Sequence, residues 1–515
     1  MTAALTIPGL AAAAATRWPA RPAIIDGDLR LDFQGLDERM RACAGAFVSA
    51  GLKRGERVAL WAPNALDWIV VCLGLQAAGG VLVPLNTRFK GAEAQFILNR
   101  AAVAMLVVAD EFLGVRYADL LDGLDLPALR RVVRLGAAGP DGWEAFLDAA
   151  TSADRREADR RLDQLSPDDI GDIMFTSGTT GEPKGAVTSH RQTVETAKLW
   201  AKATMIGEGD RFLILWPFFH CSGYKAGWVV NLAVGATTLP ERVLDTTRLL
   251  ETVAREAVTF LPGPPALFQT LLAMSESPRA AMASVRVSVT GASAVAPTMI
   301  EAMRKDLGIP VVLTGYGLTE TCGTVTMTCP EDPLDIVTTS CGRAIDGVEL
   351  ACVDADGRPV PTGEAGEVVV RGMNVMIGYL DDPIATGEAI DSEGWLHTGD
   401  VGVLDEQGYL RITDRKKDIY ITGGFNCYPA EIEKMLLAHP AILQVAVTGI
   451  ADSRLGEVGM AYVVLKDGAS LDADALIAWS RERMANYKVP RRVAFLDVLP
   501  ANATGKVQKF KLGAA

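Results

Sequence analysis

The stretch Thr176-Ser177-Gly178-Thr179-Thr180-Gly181-Glu182-Pro183-Lys184-Gly185 places hydroxyls, glycines and a lysine directly after the apolar run Asp172-Ile173-Met174-Phe175. Such a run, bounded by a glycine-rich cluster, predicts a buried strand that ends in a loop. Because glycines let backbone N–H groups turn inward and the lysine adds charge, the composition is typical of a phosphate-binding loop. It differs from the common P-loop, since Pro183 precedes Lys184 and Gly185 follows it. A flexible surface loop is the alternative interpretation.

The bulk composition is that of a globular protein with an acidic balance. The chain has 515 residues, of which 49% are hydrophobic and 22% charged, and its formal net charge is −13. This length predicts two or more domains. The acidic balance argues against nucleic acid or an acidic membrane as the main partner, so anionic substrates require local basic pockets.

The apolar runs of the sequence bear on its cellular location, and its cysteines and histidines bear on whether it binds a structural metal. No apolar run approaches the roughly 20 residues that span a bilayer. No basic residue precedes the alanine run Ala11–Ala15, which argues against a secretory signal. The eight cysteines form no C-x-x-C pair and there are only four histidines, so a structural zinc site is not expected. The sequence therefore predicts a cytoplasmic protein.

The order of helix-like and strand-like runs predicts an α/β fold. Gly55–Trp61 and Gly80–Leu85 are typical of strands on either side of a helix at Asp67–Gln76. A second set of such runs includes a predicted strand at Ala257–Leu261, and the short strands after Cys341 are expected to be antiparallel. A charged segment at Lys417 predicts a hinge between domains 1–416 and 417–515.

Further segments accompany the loop downstream. They are Phe218-Phe219-His220, Gly315-Tyr316-Gly317-Leu318-Thr319-Glu320-Thr321, His397-Thr398-Gly399-Asp400, Arg415 and Asn502-Ala503-Thr504-Gly505-Lys506. Together they resemble the adenylate-forming superfamily of acyl-CoA synthetases, luciferases and peptide-synthetase adenylation domains, over Arg17 to Lys511. The resemblance implies a large N-terminal AMP-binding domain with two helix-flanked sheets and a small distorted β-barrel, and a small mobile C-terminal α+β domain.

The resemblance also implies a two-step ligase reaction. A carboxylate attacks the α-phosphate of ATP to give an acyl-adenylate and pyrophosphate, and the thiol of coenzyme A then displaces AMP to leave a thioester. ATP, Mg²⁺ and coenzyme A are the implied cofactors, and a small carboxylic acid is the implied substrate; a homodimer is left open. The site must neutralise the charge that spreads over the reacting phosphates.

Roles follow for individual residues of these segments. Lys506 resembles the adenylation lysine, Glu320 the magnesium ligand, and Thr319 a donor to the α-phosphate. Tyr316 is expected to lie flat on adenine. The ordinary alternatives are a solvated lysine near a terminus, a charge at a helix N-terminus and a core tyrosine.

A carboxylate and a guanidinium, Asp400 and Arg415, resemble the pair that holds the ribose hydroxyls, although an aspartate in an exposed turn is the ordinary alternative. The full set of predicted nucleotide and coenzyme A contacts is Thr176, Ser177, Gly178, Thr179, Thr180, Gly181, Lys184, Gly291, Ala292, Ser293, Gly315, Tyr316, Gly317, Asp400, Arg415, Lys417, Gly423 and Gly424.

The second half-reaction is assigned to the C-terminal segment. Lys417 lies where relatives carry a hinge residue, about which the small domain turns between the two steps. The strand after it, Thr422-Gly423-Gly424-Phe425, then faces the active site, where glycines leave room for a pantetheine tunnel.

The acid pocket is predicted around His220, which is expected to position and gate the acid rather than to act as an acid or base. The predicted lining is Phe219, His220, Tyr224, Lys225, Gly263, Pro264 and Gly317. An amino acid substrate is disfavoured, because peptide-synthetase domains carry an Asp in the segment that matches Phe218–Cys221. The run from Pro217 to Gly227 is similar to bacterial acyl-CoA ligases for alicyclic acids, in particular indane-propanoates left by steroid-ring breakdown.

If Lys225 points inward, it indicates the substrate more specifically than the motif similarity does. A buried ammonium requires a partner, such as a ketone or a second carboxylate of the substrate. A surface position is the commoner fate of a lysine. Other functions stay open: a medium-chain, fatty or aryl acyl-CoA synthetase, an acyl-AMP ligase that loads a carrier protein, and a non-catalytic nucleotide-binding relative. A serine hydrolase is unsupported, because the chain lacks G-x-S-x-G.

Overall fold

The computed structural model describes residues 5–177, 182–274, 277–290, 297–415, 420–427, 429–500, 509 and 512. The chain divides into two compact units. The first comprises Met1–Thr87, Leu98–Met174 and Gly185–Thr413, and the second comprises Arg88–Ile97, Phe175–Lys184 and Asp414–Ala515. The domain division 1–416 and 417–515, which places residues 88–97 and 175–184 in the larger domain, stays a prediction.

Helices and strands alternate through most of the first unit. The helices are α1 Ile7–Arg17, α2 Phe33–Ser49, α3 Leu66–Ala77, α4 Gly91–Arg100, α5 Trp143–Asp148, α6 Ser152–Asp163, α7 His190–Thr204, α8 Cys221–Gly223, α9 Val229–Val234, α10 Thr246–Arg255, α11 Pro265–Leu272, α12 Pro297–Lys305, α13 Leu334–Thr339, α14 Pro383–Ala389, α15 Pro429–Leu437 and α16 Ala473–Arg481. Shorter helical segments include a π-helical turn at Tyr224–Trp228 and a 3-10 turn at Thr319–Thr321.

The strands are β1 Pro22–Asp26, β2 Leu29–Asp32, β3 Arg57–Trp61, β4 Val81–Pro84, β5 Met105–Ala109, β6 Arg131–Leu135, β7 Ile170–Ser177, β8 Pro183–Ser189, β9 Arg211–Ile214, β10 Thr237–Pro240, β11 Val287–Val289, β12 Val311–Leu313, β13 Gly315–Tyr316, β14 Thr326–Met327, β15 Arg343–Ala344, β16 Val348–Val353, β17 Ala365–Gly372, β18 Gly378–Tyr379, β19 Leu396–Leu404, β20 Leu410–Arg415, β21 Tyr420–Thr422, β22 Phe425–Cys427, β23 Ile442–Asp452, β24 Gly456–Leu465 and β25 Arg492–Phe495.

The largest sheet contains the two strands on either side of the predicted phosphate loop, β7 and β8. Its order is β18-β8-β7-β4-β3-β5-β6, and β6, β5, β3, β4 and β7 pair with their neighbours in parallel. Helix α3, buried along nearly its whole length, connects β3 to β4. The predicted strand, helix and strand in this region are therefore confirmed. Parallel pairing of this kind requires crossover helices and buries both faces of the sheet.

A second sheet has the order β2-β1-β10-β9 and continues through Phe260 to the parallel pair β11-β12. The predicted strand at Ala257–Leu261 is wrong in its extent, because only Phe260 makes isolated bridges, to Phe212 and Val287. Ala257 has a φ of 47°, and Pro262 has no backbone N–H to donate. An extended ladder therefore cannot run through either end of this segment.

Strands β13 to β17 and β19 pair antiparallel with their neighbours, which confirms the predicted antiparallel strands after Cys341. One sheet has the order β13-β14-β15, and the other has the order β16-β17-β19-β20. Strands β13 and β19 carry Tyr316 and Asp400, two of the predicted nucleotide contacts.

The second unit contains a sheet with the order β22-β21-β24-β23, and β25 lies beside β24. Its hydrophobic core packs α15 and α16 on this sheet through residues such as Ile432, Leu436 and Leu476. Gly423 and Gly424 form the two-residue turn between β21 and β22, with φ values of 56° and 85°. Among the described residues, no helix has the length and apolar character that crossing a bilayer requires.

Candidate active site

The phosphate loop lies between β7 and β8. Residues 178–181 and the side chain of Ser177 lie outside the described residues, whereas Thr176 and Lys184 are half-buried on either side of them. Strand β8 is also held on the edge opposite β7, where the Leu380 N–H donates to the Gly185 carbonyl at 2.8 Å. The predicted strand before the loop is confirmed, and the phosphate contacts stay a prediction.

Glu320 is fixed within the 3-10 turn Thr319–Thr321. Its carbonyl accepts the Met376 N–H at 2.7 Å, and its Oε1 accepts the Tyr379 hydroxyl at 3.0 Å. No cluster of three or more potential metal ligands occurs among the described residues. A single immobilised carboxylate fits Mg²⁺, which nucleotide sites hold through one or two carboxylates together with phosphate oxygens.

The glycines of the same segment are required by close packing. A Cβ on Gly317 would lie 2.3 Å from the carbonyl oxygen of Gly323. A Cβ on Gly315 would lie 2.4 Å from Met327 Sδ and 2.8 Å from the Thr326 carbonyl oxygen. Because backbone atoms cannot move aside cheaply, packing alone accounts for both glycines. Their predicted nucleotide contacts are a separate matter and stay predictions.

Tyr316 and Asp400 meet across two sheets. The Tyr316 hydroxyl donates to Asp400 Oδ2 at 2.7 Å, and the Asp400 N–H donates to Thr398 Oγ1 at 3.1 Å. Asp400 is 6% exposed, so it is not the exposed turn aspartate of the alternative interpretation. The structure therefore brings the predicted adenine and ribose residues together. The side chain of Arg415, at the end of β20, lies outside the described residues.

The segment before His220 is held by a buried asparagine. Asn64 Oδ1 accepts the Phe218 N–H at 2.8 Å, and Asn64 Nδ2 donates to the Trp216 carbonyl at 2.9 Å. Phe218 is fully buried, Phe219 is half-buried and the His220 side chain is exposed. The turn therefore presents the imidazole on a backbone fixed by Asn64, and the positioning role of His220 stays a prediction.

The His220 ring is oriented by its neighbours in the chain. Its Nδ1 accepts the Ser222 N–H at 3.3 Å and lies 2.9 Å from the Ser222 hydroxyl and 3.6 Å from Cys221 Sγ. The negative charge of the neighbouring Cys221 sulfur raises the pKa of His220 above its ordinary value. Burial pushes the pKa of Cys221 up, but His220 and Lys225 outweigh it and leave that pKa lowered.

Lys225 does not lie on the surface, and its partner belongs to the protein. The side chain is 1% exposed, and Nζ lies 2.9 Å from Asp172 Oδ1. Nζ also donates to Thr188 Oγ1 at 2.6 Å and lies 3.9 Å from Cys322 Sγ. The surface expectation is wrong because the π-helical turn at Tyr224–Trp228 points this residue into the core. A contact between Lys225 and the substrate stays a prediction. The charge of Lys225 no longer requires such a contact, because Asp172 is its partner.

Aromatic packing surrounds the same turn. Tyr224 is fully buried, and its hydroxyl accepts from Gln76 Nε2 at 2.9 Å. The Trp68 ring centroid lies 5.9 Å from that of Tyr224, 5.5 Å from that of Phe218 and 6.1 Å from that of Trp228. These rings form a fully buried aromatic cluster that supports the backbone of the turn.

Gly263 and Pro264 precede α11. The Gly263 N–H donates to the Val289 carbonyl at 3.0 Å, and a Cβ on Gly263 would lie 2.5 Å from Leu267 Cδ2. Pro264 caps the N-terminus of α11. Their contact with the acid stays a prediction.

Several predicted residues lie outside the described part of the chain. They are Gly178, Thr179, Thr180, Gly181, Gly291, Ala292, Ser293, Lys417 and Lys506. The segment Thr422–Phe425 is described and corrects the expectation of a strand, because Gly423 and Gly424 form a tight hairpin turn. Both residues have positive φ, so the turn itself demands glycine. Whether they also line a tunnel stays a prediction.

The sequence-based reasoning missed three functional candidates. Tyr379 immobilises Glu320, and Asp172 neutralises Lys225. His397, expected only to shape its turn, lies 3.1 Å from Glu367 Oε2 and 3.6 Å from Asp391 Oδ2. A charged residue inside an apolar strand was the available signal for Asp172, because a buried carboxylate requires a partner.

Comparison with known proteins gives one consistent result. The AMP-binding enzyme family matches residues 11–380, and the AMP-binding enzyme C-terminal domain matches residues 431–506. A 7a-methyl-1,5-dioxo-octahydroindenyl-propanoyl:CoA ligase of Rhodococcus jostii (strain RHA1) is 46% identical over 98% of this chain and 97% of its own length. The ligase of the same name from Mycobacterium tuberculosis is 45% identical over 98% of both chains.

A solved structure agrees in fold. A double mutant of o-succinylbenzoate CoA synthetase from Bacillus subtilis, bound with a product analogue, has a TM-score of 0.83. It is 27% identical and covers 98% of each chain. The predicted fold class, the enzyme assignment and the AMP-forming acyl-CoA ligase activity are confirmed by these likenesses. The chain belongs to the AMP-binding enzyme family.

Proposed function

We propose that this enzyme activates a propanoate attached to a fused, oxygenated bicyclic ring, using ATP and Mg²⁺, and transfers the acyl group to coenzyme A. The observation that carries the substrate is full-length identity of 45–46% to two ligases named for one such acid.

The nucleoside is held by the pair formed by Tyr316 and Asp400. Asp400 accepts from the ribose hydroxyls, because a carboxylate can accept several hydrogen bonds at once. The bond from Tyr316 orients this carboxylate and places the phenol ring beside the base. Arg415 adds donors to the same hydroxyls.

The phosphates are held by the loop and by Glu320. Thr176, Lys184 and the loop N–H groups donate to the phosphate oxygens and oppose the charge that develops during attack. Glu320, which Tyr379 immobilises, is the residue that would hold Mg²⁺. When bound, Mg²⁺ supplies positive charge to the phosphate oxygens. Thr319 donates to the α-phosphate.

The acid carboxylate is positioned by His220. Because its Nδ1 accepts the Ser222 N–H, the proton of the neutral ring lies on Nε2, which can donate to a carboxylate oxygen. Lys506 serves the first step. In the second step the Gly423-Gly424 turn takes the place of Lys506 and admits the pantetheine arm.

The test is AMP release by the purified enzyme, measured with and without coenzyme A. The acids compared are the 7a-methyl-dioxo-octahydroindene propanoate, the same ring without its ketones, linear acids of short, medium and long chain, benzoates, cinnamates and amino acids. We expect the highest kcat/KM for the dioxo acid. A preference for linear or aromatic acids would overturn the proposed substrate.

The acceptor is tested in the same assay. Thioester formation that requires free coenzyme A supports the ligase, whereas transfer only to a phosphopantetheinyl carrier protein would favour an acyl-AMP ligase. If the protein binds ATP but forms no acyl-adenylate with any of the acids, a non-catalytic relative would be favoured. The homodimer and the cytoplasmic location stay predictions, which gel filtration and cell fractionation test.

A further inference from the structure

A buried ion pair lies beneath the proposed acid pocket. The side chains of Lys225 and Asp172 are 1% and 0% exposed, and Nζ lies 2.9 Å from Asp172 Oδ1. Thr188 Oγ1 accepts from Lys225 Nζ at 2.6 Å and donates to Asp172 Oδ1 at 2.7 Å. The three side chains therefore form a closed triangle of charge-assisted hydrogen bonds.

The triangle connects three elements that serve different substrates. Asp172 lies on β7, which leads into the phosphate loop, and Thr188 lies on β8, which leads out of it. Lys225 lies in the π-helical turn that follows His220. One buried contact thus ties both strands of the phosphate loop to the turn behind the acid pocket.

Stability alone is a weak reason for such a pair. Removing two charges from water is costly, and apolar replacements of buried ion pairs are often neutral or stabilising. Asp172 Oδ2 has no hydrogen-bond partner among the described residues, so the pair is not fully satisfied. Burial lowers the pKa of Lys225, but Asp172 outweighs it and raises that pKa, so the ammonium stays charged.

We propose that the Lys225–Asp172–Thr188 triangle is a positioning device, which holds the acid pocket in register with the phosphate loop and thereby sets the rate of acyl-adenylate formation. The reaction requires a carboxylate oxygen to reach the α-phosphate in line, and small misplacements of reacting groups are costly. Lys225 is therefore a positioning residue, which acts through β7, β8 and the turn after His220. The proposal rests on the proposed placement of phosphates at residues 176–184.

The experiment removes the charges of Lys225 and Asp172 in one double variant. The double variant Lys225→Met/Asp172→Asn avoids a lone buried charge, so its thermal unfolding should stay close to that of the wild type. We expect its kcat for acyl-adenylate formation to fall about 10- to 100-fold. Thioester formation from a supplied acyl-adenylate, and the KM for coenzyme A, should stay at the wild-type level. A merely structural role would affect both half-reactions equally.

A second variant covers the case in which the double variant fails to fold. Thr188→Val keeps the ion pair and the side-chain shape but breaks the link to β8. We expect adenylate formation to fall about fivefold, the equivalent of one net hydrogen bond. Lys202→Met, which removes an exposed ion pair with Asp346 on the same unit, is the matched control and should be unchanged.

The outcomes separate this proposal from the proposed function. Wild-type rates of adenylate formation in a folded double variant, or in Thr188→Val, would overturn the positioning role. Equal losses in both half-reactions would overturn it as well. If Lys184→Ala forms adenylate normally, the phosphate-loop assignment fails instead. The absence of adenylate from the wild type with every acid would count against the proposed function itself.

Discussion

Tyr316 donates its hydroxyl proton to Asp400 Oδ2 at 2.7 Å, although the two residues are 84 positions apart in the chain. Tyr316 lies on β13 and Asp400 on β19, in different antiparallel sheets. The bond holds the Tyr316 ring and the Asp400 carboxylate in a fixed relative position, which supports the proposed nucleoside contact. It joins two segments that sequence comparison treats as independent motifs.

Tyr316→Phe should raise the KM for ATP about tenfold, because the mutation leaves a buried carboxylate short of one charge-assisted hydrogen bond. Steady-state kinetics at saturating acid and coenzyme A measure this change. Tyr409→Phe is the matched control, since Tyr409 donates to Asp332 at 2.5 Å elsewhere in the same unit. That control should leave the KM for ATP unchanged. An equal KM in both variants would contradict the nucleoside assignment.

Glu320→Gln should weaken the dependence of adenylate formation on Mg²⁺. The amide keeps the shape of the side chain but loses the charge that attracts a hard cation. We expect the Mg²⁺ concentration for half-maximal rate to rise at least about tenfold, which corresponds to about 1.4 kcal/mol of metal binding. Glu349→Gln, on an exposed carboxylate that pairs with Arg371, should not change it. A Mg²⁺ titration of pyrophosphate release decides between these results.

Lys506→Ala should abolish adenylate formation while sparing the conversion of a supplied acyl-adenylate into thioester. In the proposed mechanism the lysine neutralises charge at the α-phosphate only in the first step. Lys417→Pro should produce the opposite pattern if Lys417 is the predicted hinge, since proline restricts backbone rotation. Separate assays of the two half-reactions distinguish the variants. Loss of both steps in either variant would indicate a structural role.

His190 should make the protein less stable in mild acid. The side chain is fully buried, and burial lowers its pKa to about 4 from the ordinary 6.5. Because the unfolded state binds the proton more readily, the free energy of unfolding should fall as the pH drops from about 6.5 to 4, by up to about 3 kcal/mol. Urea unfolding of the wild type and of His190→Gln at pH 7.5 and 5 tests this. A similar pH dependence in both proteins would exclude His190 as the cause.

Lys488→Met should strongly destabilise the second unit. Lys488 Nζ lies 2.7 Å from Glu431 Oε1 and 2.8 Å from Glu93 Oε1, and all three side chains are 9% exposed or less. The mutation leaves two buried carboxylates without a counter-ion, which costs about 3–5 kcal/mol. Denaturant unfolding at neutral pH measures the loss. Lys202→Met, at an exposed pair, should show no measurable change.

The family and its chemistry were predictable from the sequence because each motif, the predicted phosphate loop and the Gly315–Thr321 segment, is a single unbroken stretch of the chain. Local composition fixes a glycine-rich loop or a short turn without help from distant residues. The strand β7 and helix α3 were predictable for a similar reason, since their apolar patterns are local. The strand at Ala257–Leu261 was not, because the backbone breaks at Ala257 and Pro262.

By itself, the sequence determined the adenylate-forming family and the α/β class, and it predicted which residues contact the nucleotide. Only the tertiary structure decided that Lys225 is buried against Asp172, and that Tyr379 fixes Glu320 from 59 positions away. Only the fold showed that Gly317 is required by the backbone of Gly323. The physical reason is common to all three. Burial, charge neutralisation and close backbone approach depend on which distant segments meet, and no local pattern of residues records that.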